Sequence, residues 1–160
     1  MKEIAIGSTV PKLTFESTDP SLRSFDDLLG QPFILYFYPK DNTPGCTTES
    51  KDFRDLTPTL AKFNTRIIGV SKDSMSSHHK FCEKYSLPFA LISDPDQKLC
   101  RSFNVIREKN MFARIVLGIE RSTFLIDSKG VVRAIWRKVK VQGHSQEVLE
   151  AVKQLTKENA

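Results

Sequence analysis

Cys46 lies where an apolar run, residues 32–38, gives way to a predicted helix. The first amides of a helix have no intrahelical partner and the helix dipole is positive at that end, so a thiolate there gains hydrogen bonds and a favourable field. The dipole contributes only about 0.3 to 2 kcal/mol, so a nearby cation or hydroxyl donor is also needed. Thr43, three residues earlier, can supply the hydroxyl. The sequence therefore predicts that Cys46 is a nucleophile.

Short apolar runs alternate with helical patterns, which predicts one α/β domain over residues 1–160. Strands are predicted at residues 33–38, 66–70, 89–92, 122–126 and 131–135, and the turn at residues 127–130 joins the last two as a hairpin. Helical spacing recurs at residues 53–63, 76–85, 99–103 and 148–155. Pro44 suits a first helical position with Thr43 as its cap. Pro58 predicts a kink near Thr57 or a new helix that Thr57 caps.

Composition excludes several classes of protein. The net charge of +5 invites a nucleic-acid partner, but the basic residues near Trp136 alternate with apolar ones, which predicts the solvated face of a strand instead. No run approaches the roughly 18 apolar residues of a membrane span, and residues 1–7 lack a signal-peptide pattern, so we expect a cytoplasmic protein. Three cysteines are too few for a secreted disulfide framework, which favours redox chemistry or burial.

The residues around Cys46 resemble the peroxidatic motif of peroxiredoxins, because Pro39, Thr43 and Cys46 stand in the spacing Pro-x-x-x-Thr-x-x-Cys after a buried strand. The longer context, residues 36–47 with Glu49 and residues 52–55, resembles the bacterioferritin-comigratory or Q branch. Residues 93–94, 103–105 and 118–127 follow in the order typical of that branch. The resemblance thus spans most of the chain, which makes it far more specific than Thr-x-x-Cys alone.

This resemblance implies a thioredoxin-like fold, with a central mixed β-sheet flanked by helices. It also implies a thiol peroxidase that reduces hydrogen peroxide and organic hydroperoxides without metal, haem, flavin or another cofactor. Cys46 would attack a peroxide oxygen and become a sulfenic acid. Thr43 and Arg121 would hold thiolate and peroxide together, and Pro39 would shield the site from water. Glu49, one helical turn beyond Cys46, would orient Arg121.

A second thiol is expected to complete the cycle. Many members of this branch carry a resolving cysteine five residues after the peroxidatic one, where this chain has Lys51, and others place it where Cys82 stands. We expect Cys82 to attack the Cys46 sulfenic acid, forming an intramolecular disulfide that thioredoxin or a similar dithiol reduces. Cys100 competes for this role, but it shares an apolar helical face with Leu99 and is predicted to be core. The branch tends towards monomers.

Other interpretations stay open. A one-cysteine peroxidase would pass its sulfenic acid to an external thiol. A thioredoxin-like disulfide oxidoreductase shares the fold but needs Cys-x-x-Cys, and Thr43 occupies the place of the first cysteine. His78 and Cys82 lie four residues apart on one predicted helix and could join Cys46 in a zinc site, although a second close pair of ligands is missing. His78 and the adjacent His79 are predicted to lie on the surface.

Overall fold

Residues 4–158 are described by the structure, which is a computed structural model. Residues 1–3, part of the N-terminal stretch considered above, lie outside the described residues. The elements, in chain order, are β1 (Glu16–Ser17), a 3-10 helix (Phe25–Leu28), β2 (Phe33–Phe37), α1 (Pro44–Ala61), β3 (Arg66–Ser71), α2 (Met75–Tyr85), β4 (Ala90–Ser93), α3 (Lys98–Ser102), β5 (Ile106–Met111), β6 (Arg114–Ile119), β7 (Ser122–Ile126), β8 (Val132–Trp136) and α4 (His144–Glu158).

A six-stranded mixed sheet lies at the centre of the fold, with the strand order β1-β4-β3-β2-β7-β8. β2, β3 and β4 are parallel. β1 runs antiparallel to β4, and β7 runs antiparallel to both β2 and β8. Every residue of β2 is buried, as expected of a strand covered on both faces. The predicted mixed sheet with flanking helices is confirmed.

Alternate side chains of β2 enter two separate hydrophobic cores, because successive residues of a strand point to opposite faces of the sheet. Phe33, Leu35 and Phe37 belong to the first core, which the 3-10 helix and α3 cover. Ile34 and Tyr36 belong to the second core, which α1, α2 and α4 cover. The sheet therefore separates the buried residues of α3 from those of α1 and α2.

Helix α1 runs past Pro58 without interruption, so the predicted new helix at Thr57 is wrong. The Thr57 hydroxyl donates to the Phe53 carbonyl at 2.8 Å instead of capping amides. Phe53 and Leu60 are buried in the same core on either side of Pro58, which is itself exposed. A proline in a helix interior costs about 3 kcal/mol, whereas burying each large flanking side chain contributes about 1.5 to 3 kcal/mol. Packing therefore outweighs the lost hydrogen bond.

The five predicted strands appear within one residue of their expected bounds, and β7 and β8 form the predicted hairpin, with Gly130 at a φ of +83°. Strand β1 and the separate two-stranded sheet β5–β6 were not predicted from the sequence. That small sheet exposes Ile115 and Leu117, so its apolar residues do not follow the pattern of a buried strand. Among the described residues, no helix is long and apolar enough to cross a membrane.

Candidate active site

Cys46 lies in the first turn of α1 and is 1% exposed. Thr43 is the N-cap residue, with φ −87° and ψ 156°, and Pro44 begins the helix, as predicted. An amide-to-carbonyl bond runs from Thr47 back to Thr43, and the amides before Thr47, including that of Cys46, have no acceptor one turn earlier within the helix. These amides and the positive end of the helix dipole favour negative charge on Sγ of Cys46.

The loop between β2 and α1 carries Pro39 and Thr43, both half-buried. The Thr43 hydroxyl does not cap the helix; it donates to the Lys40 carbonyl at 2.8 Å and closes the loop on itself. Pro39 follows Tyr38, whose amide donates to the Val70 carbonyl at 3.0 Å. Backbone pairing with β3 therefore continues up to the residue before Pro39.

Arg121 brings a positive charge to the sulfur of Cys46. Ser122 begins β7 and pairs with Phe37 at the end of β2, so Arg121, one residue earlier, lies beside the loop that leads into α1. Its Nη2 donates to Sγ of Cys46 at 3.3 Å, and its Nη1 donates to Oε1 of Glu49 at 2.7 Å. The Arg121 side chain is 17% exposed, so this contact is largely shielded from solvent.

Glu49 fixes the position of Arg121 from inside the protein. It lies one turn beyond Cys46 on α1 and is 2% exposed. Burial raises the pKa of Glu49 to about 7, although the charge of Arg121 and its hydrogen bond act in the opposite direction. Its other oxygen, Oε2, has no hydrogen-bond partner, and among the described residues it is the one buried side-chain oxygen or nitrogen of which this is true. Glu49 therefore contacts Arg121 through a single oxygen.

Gly45 is a residue whose role the sequence analysis missed. A Cβ atom at this position would lie 3.2 Å from Nη2 of Arg121, which is closer than a comfortable carbon contact of about 3.5 to 4.0 Å. Glycine therefore lets the guanidinium approach the first turn of α1. No local signal could reveal this, because Arg121 comes from a distant part of the chain.

The two remaining thiols lie on opposite sides of the sheet. Cys82, on α2, is half-buried and packs against the same core as Cys46. Burial raises the pKa of the Cys82 thiol to about 11, although a hydrogen bond with Thr18 opposes the change. A surface cavity of about 790 Å³ borders Cys82. Cys100, on α3, is fully buried in the other core, as predicted, and burial strongly raises the pKa of its thiol.

His78 is fully buried, so its predicted surface position is wrong, whereas His79 is exposed as predicted. Nδ1 of His78 lies 2.7 Å from Oδ2 of Asp41, and Nε2 lies 2.9 Å from the Ile92 carbonyl. The helical turn that carries His78 faces β4, which the spacing of histidines in the sequence did not reveal. Both ring nitrogens are thus occupied, and the hypothetical zinc site with Cys82 and Cys46 loses its histidine ligand.

Asp41, Asp73 and His78 form the one group of three potential metal ligands among residues 4–158. Oδ2 of Asp73 accepts from the Asp41 amide at 2.8 Å and from the Ser71 hydroxyl at 2.6 Å. Because protein hydrogen bonds already use these ligand atoms, the cluster is accounted for as a polar network.

Comparison with known proteins places these observations in a family. The family model described as AhpC/TSA matches residues 6–135. Peroxiredoxin Bcp of Xanthomonas campestris is 56% identical over 124 residues, which cover 78% of each chain. Peroxiredoxin Bcp of Bacillus subtilis is 46% identical over 153 residues, which cover 96% of this chain and 98% of that protein.

The fold is similar to that of solved structures of proteins from the same group. A solved structure of Xanthomonas campestris bacterioferritin comigratory protein, from work on its alkyl peroxide reduction activity with trapped intermediate and ligand complexes, matches with a TM-score of 0.85. It is 47% identical, and the match covers 90% of this chain and 92% of that chain.

Proposed function

The chain belongs to the AhpC/TSA family, among the Bcp or Q peroxiredoxins, and is a thiol peroxidase; on this basis we propose that Cys46 is the sulfur that the hydroperoxide oxidises. The observation that carries the proposal is the 3.3 Å contact between Nη2 of Arg121 and Sγ of Cys46, at the positive end of α1. Of the described cysteines, Cys46 is the one with a cationic hydrogen-bond donor on its sulfur, which favours the reactive thiolate.

In the proposed reaction, the Cys46 thiolate attacks one oxygen of the hydroperoxide, so that an S–O bond forms while the O–O bond breaks. The electron pair of the broken bond leaves with the other oxygen, which takes a proton and departs as water or an alcohol. Cys46 is left as a sulfenic acid. Arg121 lowers the barrier because its charge stabilises the negative charge that moves onto the leaving oxygen.

We assign supporting roles to the three other residues of the motif. Thr43 lies on the loop that leads into the Cys46 turn, and its hydroxyl can exchange the Lys40 carbonyl for a peroxide oxygen. Pro39 has no amide hydrogen to hydrate and covers the loop from solvent. Glu49 keeps Arg121 aimed at the sulfur through its 2.7 Å hydrogen bond.

Cys82 is the proposed resolving residue. Its thiolate attacks the Cys46 sulfur, an S–S bond forms, and the hydroxyl of the sulfenic acid leaves as water after taking a proton. Thioredoxin or a similar dithiol then reduces this disulfide by thiol exchange. Cys82 packs against the same core as Cys46, whereas Cys100 lies across the sheet, which favours Cys82 over Cys100.

We propose that α1 or α2 opens during resolution. Cys46 is buried on α1, Cys82 is half-buried on α2, and a disulfide needs Cα atoms about 4.4 to 6.8 Å apart. Burial also keeps Cys82 in the protonated form, since its pKa is raised to about 11, and a protonated thiol is a poor nucleophile. Exposing α2 removes both obstacles together.

We further propose hydrogen peroxide and organic hydroperoxides as substrates, since the related Xanthomonas protein reduces alkyl peroxides. Three unpaired cysteines suit a reducing compartment such as the cytoplasm. We propose a monomer without nucleic-acid or membrane partners, in line with the tendency of this branch towards monomers and with the alternation of basic and apolar residues near Trp136.

The test is peroxide consumption coupled to a thioredoxin system, with the wild type compared with Cys46→Ser and Cys82→Ser. Cys46→Ser should abolish turnover, and activity that persists in it would end the proposal. Cys82→Ser should lose thioredoxin-dependent turnover but still consume about one equivalent of peroxide. Intact mass without reductant completes the assignment: a two-hydrogen loss that persists in the Cys82→Ser monomer would exclude Cys82 as the resolving cysteine. Turnover of that variant with a small thiol would instead indicate the one-cysteine mechanism.

A further inference from the structure

A buried polar cluster ties the loop that precedes Cys46 to α2. Asp41, on that loop, is 6% exposed. Its Oδ2 accepts a hydrogen bond from the Ser77 hydroxyl at 2.8 Å and lies 2.7 Å from Nδ1 of His78, and both partners belong to α2. Its Oδ1 accepts from the hydroxyl of Tyr38, the residue that follows β2. Asp41 thus connects the loop between β2 and α1 to the helix that carries Cys82.

The contact between Asp41 and His78 is buried on both sides. Nε2 of His78 lies 2.9 Å from the Ile92 carbonyl, so the same ring also ties α2 to β4. His78 is fully buried, and a buried polar group that loses its partner costs free energy because no water replaces the lost hydrogen bond.

A second, exposed contact joins the same two segments. Asn42 has a φ of +62°, and its side-chain oxygen accepts from Nζ of Lys84 and from the Tyr85 hydroxyl, each at 3.2 Å. His78 lies one helical turn before Cys82, and Tyr85 lies three residues after it. The loop therefore holds α2 on both sides of Cys82, so a movement of α2 away from the loop breaks these contacts.

We propose that the buried Asp41–His78 contact is a latch that holds the loop and α2 in the closed arrangement, and that its opening controls how fast Cys82 resolves the Cys46 sulfenic acid. The latch rests on the proposed roles of Cys46 and Cys82. In the closed arrangement, Cys46 keeps its contact with Arg121 and reacts with peroxide. Asp41 and His78 are positioning residues, which touch neither the peroxide nor the reacting sulfurs.

The test compares Asp41→Asn and His78→Gln with the wild type and measures two steps separately by rapid quench and intact mass. The first is oxidation of Cys46, and the second is closure of the disulfide. Disulfide closure should become faster by about tenfold, because a buried hydrogen-bonding group that has lost its partner shifts the equilibrium towards the open arrangement. Cys46 oxidation should change by less than about threefold, since Arg121 is untouched.

Asp94→Asn is the matched control. Asp94 is 2% exposed and accepts hydrogen bonds from the amides of Leu99 and Cys100, on α3, so its loss weakens the fold without releasing α2. Ser77→Ala is the second latch variant if Asp41→Asn does not fold, and it should accelerate closure severalfold, because the Asp41 carboxylate loses one of its hydrogen bonds. Unchanged or slower closure in the latch variants, or an equal acceleration in the control, would overturn the proposal.

Amide hydrogen exchange of the reduced protein separates the latch from the assignment of Cys82. The latch predicts faster exchange in α2 and in the first turn of α1 of Asp41→Asn, with the central strands unchanged. If the disulfide maps elsewhere while this local pattern appears, the proposed role of Cys82 fails and the latch contact stands. Uniform acceleration across the whole chain would contradict the latch whatever the disulfide mapping shows.

Discussion

Replacing Arg121 with glutamine removes the positive charge beside Cys46 and keeps a polar side chain that can donate hydrogen bonds. The guanidinium donates to Sγ at 3.3 Å and is held by Glu49 at 2.7 Å. A hydrogen bond to a charged group contributes about 1.5 to 3 kcal/mol, and each 1.36 kcal/mol is tenfold in rate. We therefore expect the second-order rate constant for Cys46 oxidation to fall by about 10- to 150-fold.

The assay is a single turnover of the reduced protein with hydroperoxide, quenched with acid and measured by intact mass. Arg133→Gln is the matched control. Arg133, on β8, forms ion pairs with Asp127 in the β7–β8 turn at 3.2 Å and with Glu158 on α4 at 2.7 Å, so the oxidation rate of this variant should equal that of the wild type. Arg121→Lys should lose part of the rate, since one ammonium replaces the planar fork that serves two acceptors. A loss below threefold in Arg121→Gln would refute the reasoning.

Three further predictions concern the surroundings of the site. The pKa of Glu49 is raised from 4.5 to about 7, so the folded protein holds this proton more tightly than the unfolded chain does. Its contribution to stability is fully present below pH 4.5 and is lost as the pH rises through 7. At about 1.36 kcal/mol per pH unit, this group should lower the free energy of unfolding of the wild type by roughly 3 kcal/mol between pH 4.5 and 8, and Glu49→Gln should not show that decrease. A pH profile of urea unfolding that is the same in Glu49→Gln and the wild type would contradict this. Gly45→Ala should slow Cys46 oxidation severalfold, because its Cβ would lie 3.2 Å from Nη2 of Arg121. Thermal unfolding of this variant should show little loss of stability, since alanine favours helix. A wild-type oxidation rate would contradict the close approach. Cys100→Ala should lower the free energy of unfolding by about 1 kcal/mol through its small core cavity and leave the internal disulfide intact by peptide mapping, whereas loss of that disulfide would transfer the resolving role to Cys100.

Much of the fold could be predicted because buried strands and amphipathic helices leave periodic patterns in the sequence. Strand β7 has the predicted bounds, and the turn at Gly130 follows from residues that favour turns. Helix α1 was harder, because Pro58 is a local signal and the packing of Phe53 and Leu60 that overrides it is tertiary. The pair β5–β6 escaped prediction because it contributes few residues to either core.

The residues of the site also divide into those that a local pattern indicates and those that only the tertiary structure brings together. Thr43 and Cys46 lie on one short segment, so their spacing alone indicated a capped helix start with a reactive thiol. The motif selected Arg121 as the cation, but only strand pairing between β2 and β7 brings it to the sulfur. The burial of His78 could not be predicted from the residues next to it in the sequence, because its partners come from the loop between β2 and α1 and from β4.

The most direct measurement is the rate at which a hydroperoxide oxidises Cys46 in the Cys82→Ser protein, beside free cysteine under the same conditions. A sulfur held at the start of α1 with Arg121 against it should react more than about a hundredfold faster than the free amino acid, and trapping of the sulfenic acid should label Cys46. A rate equal to that of free cysteine, or a label on Cys100 instead, would contradict the account.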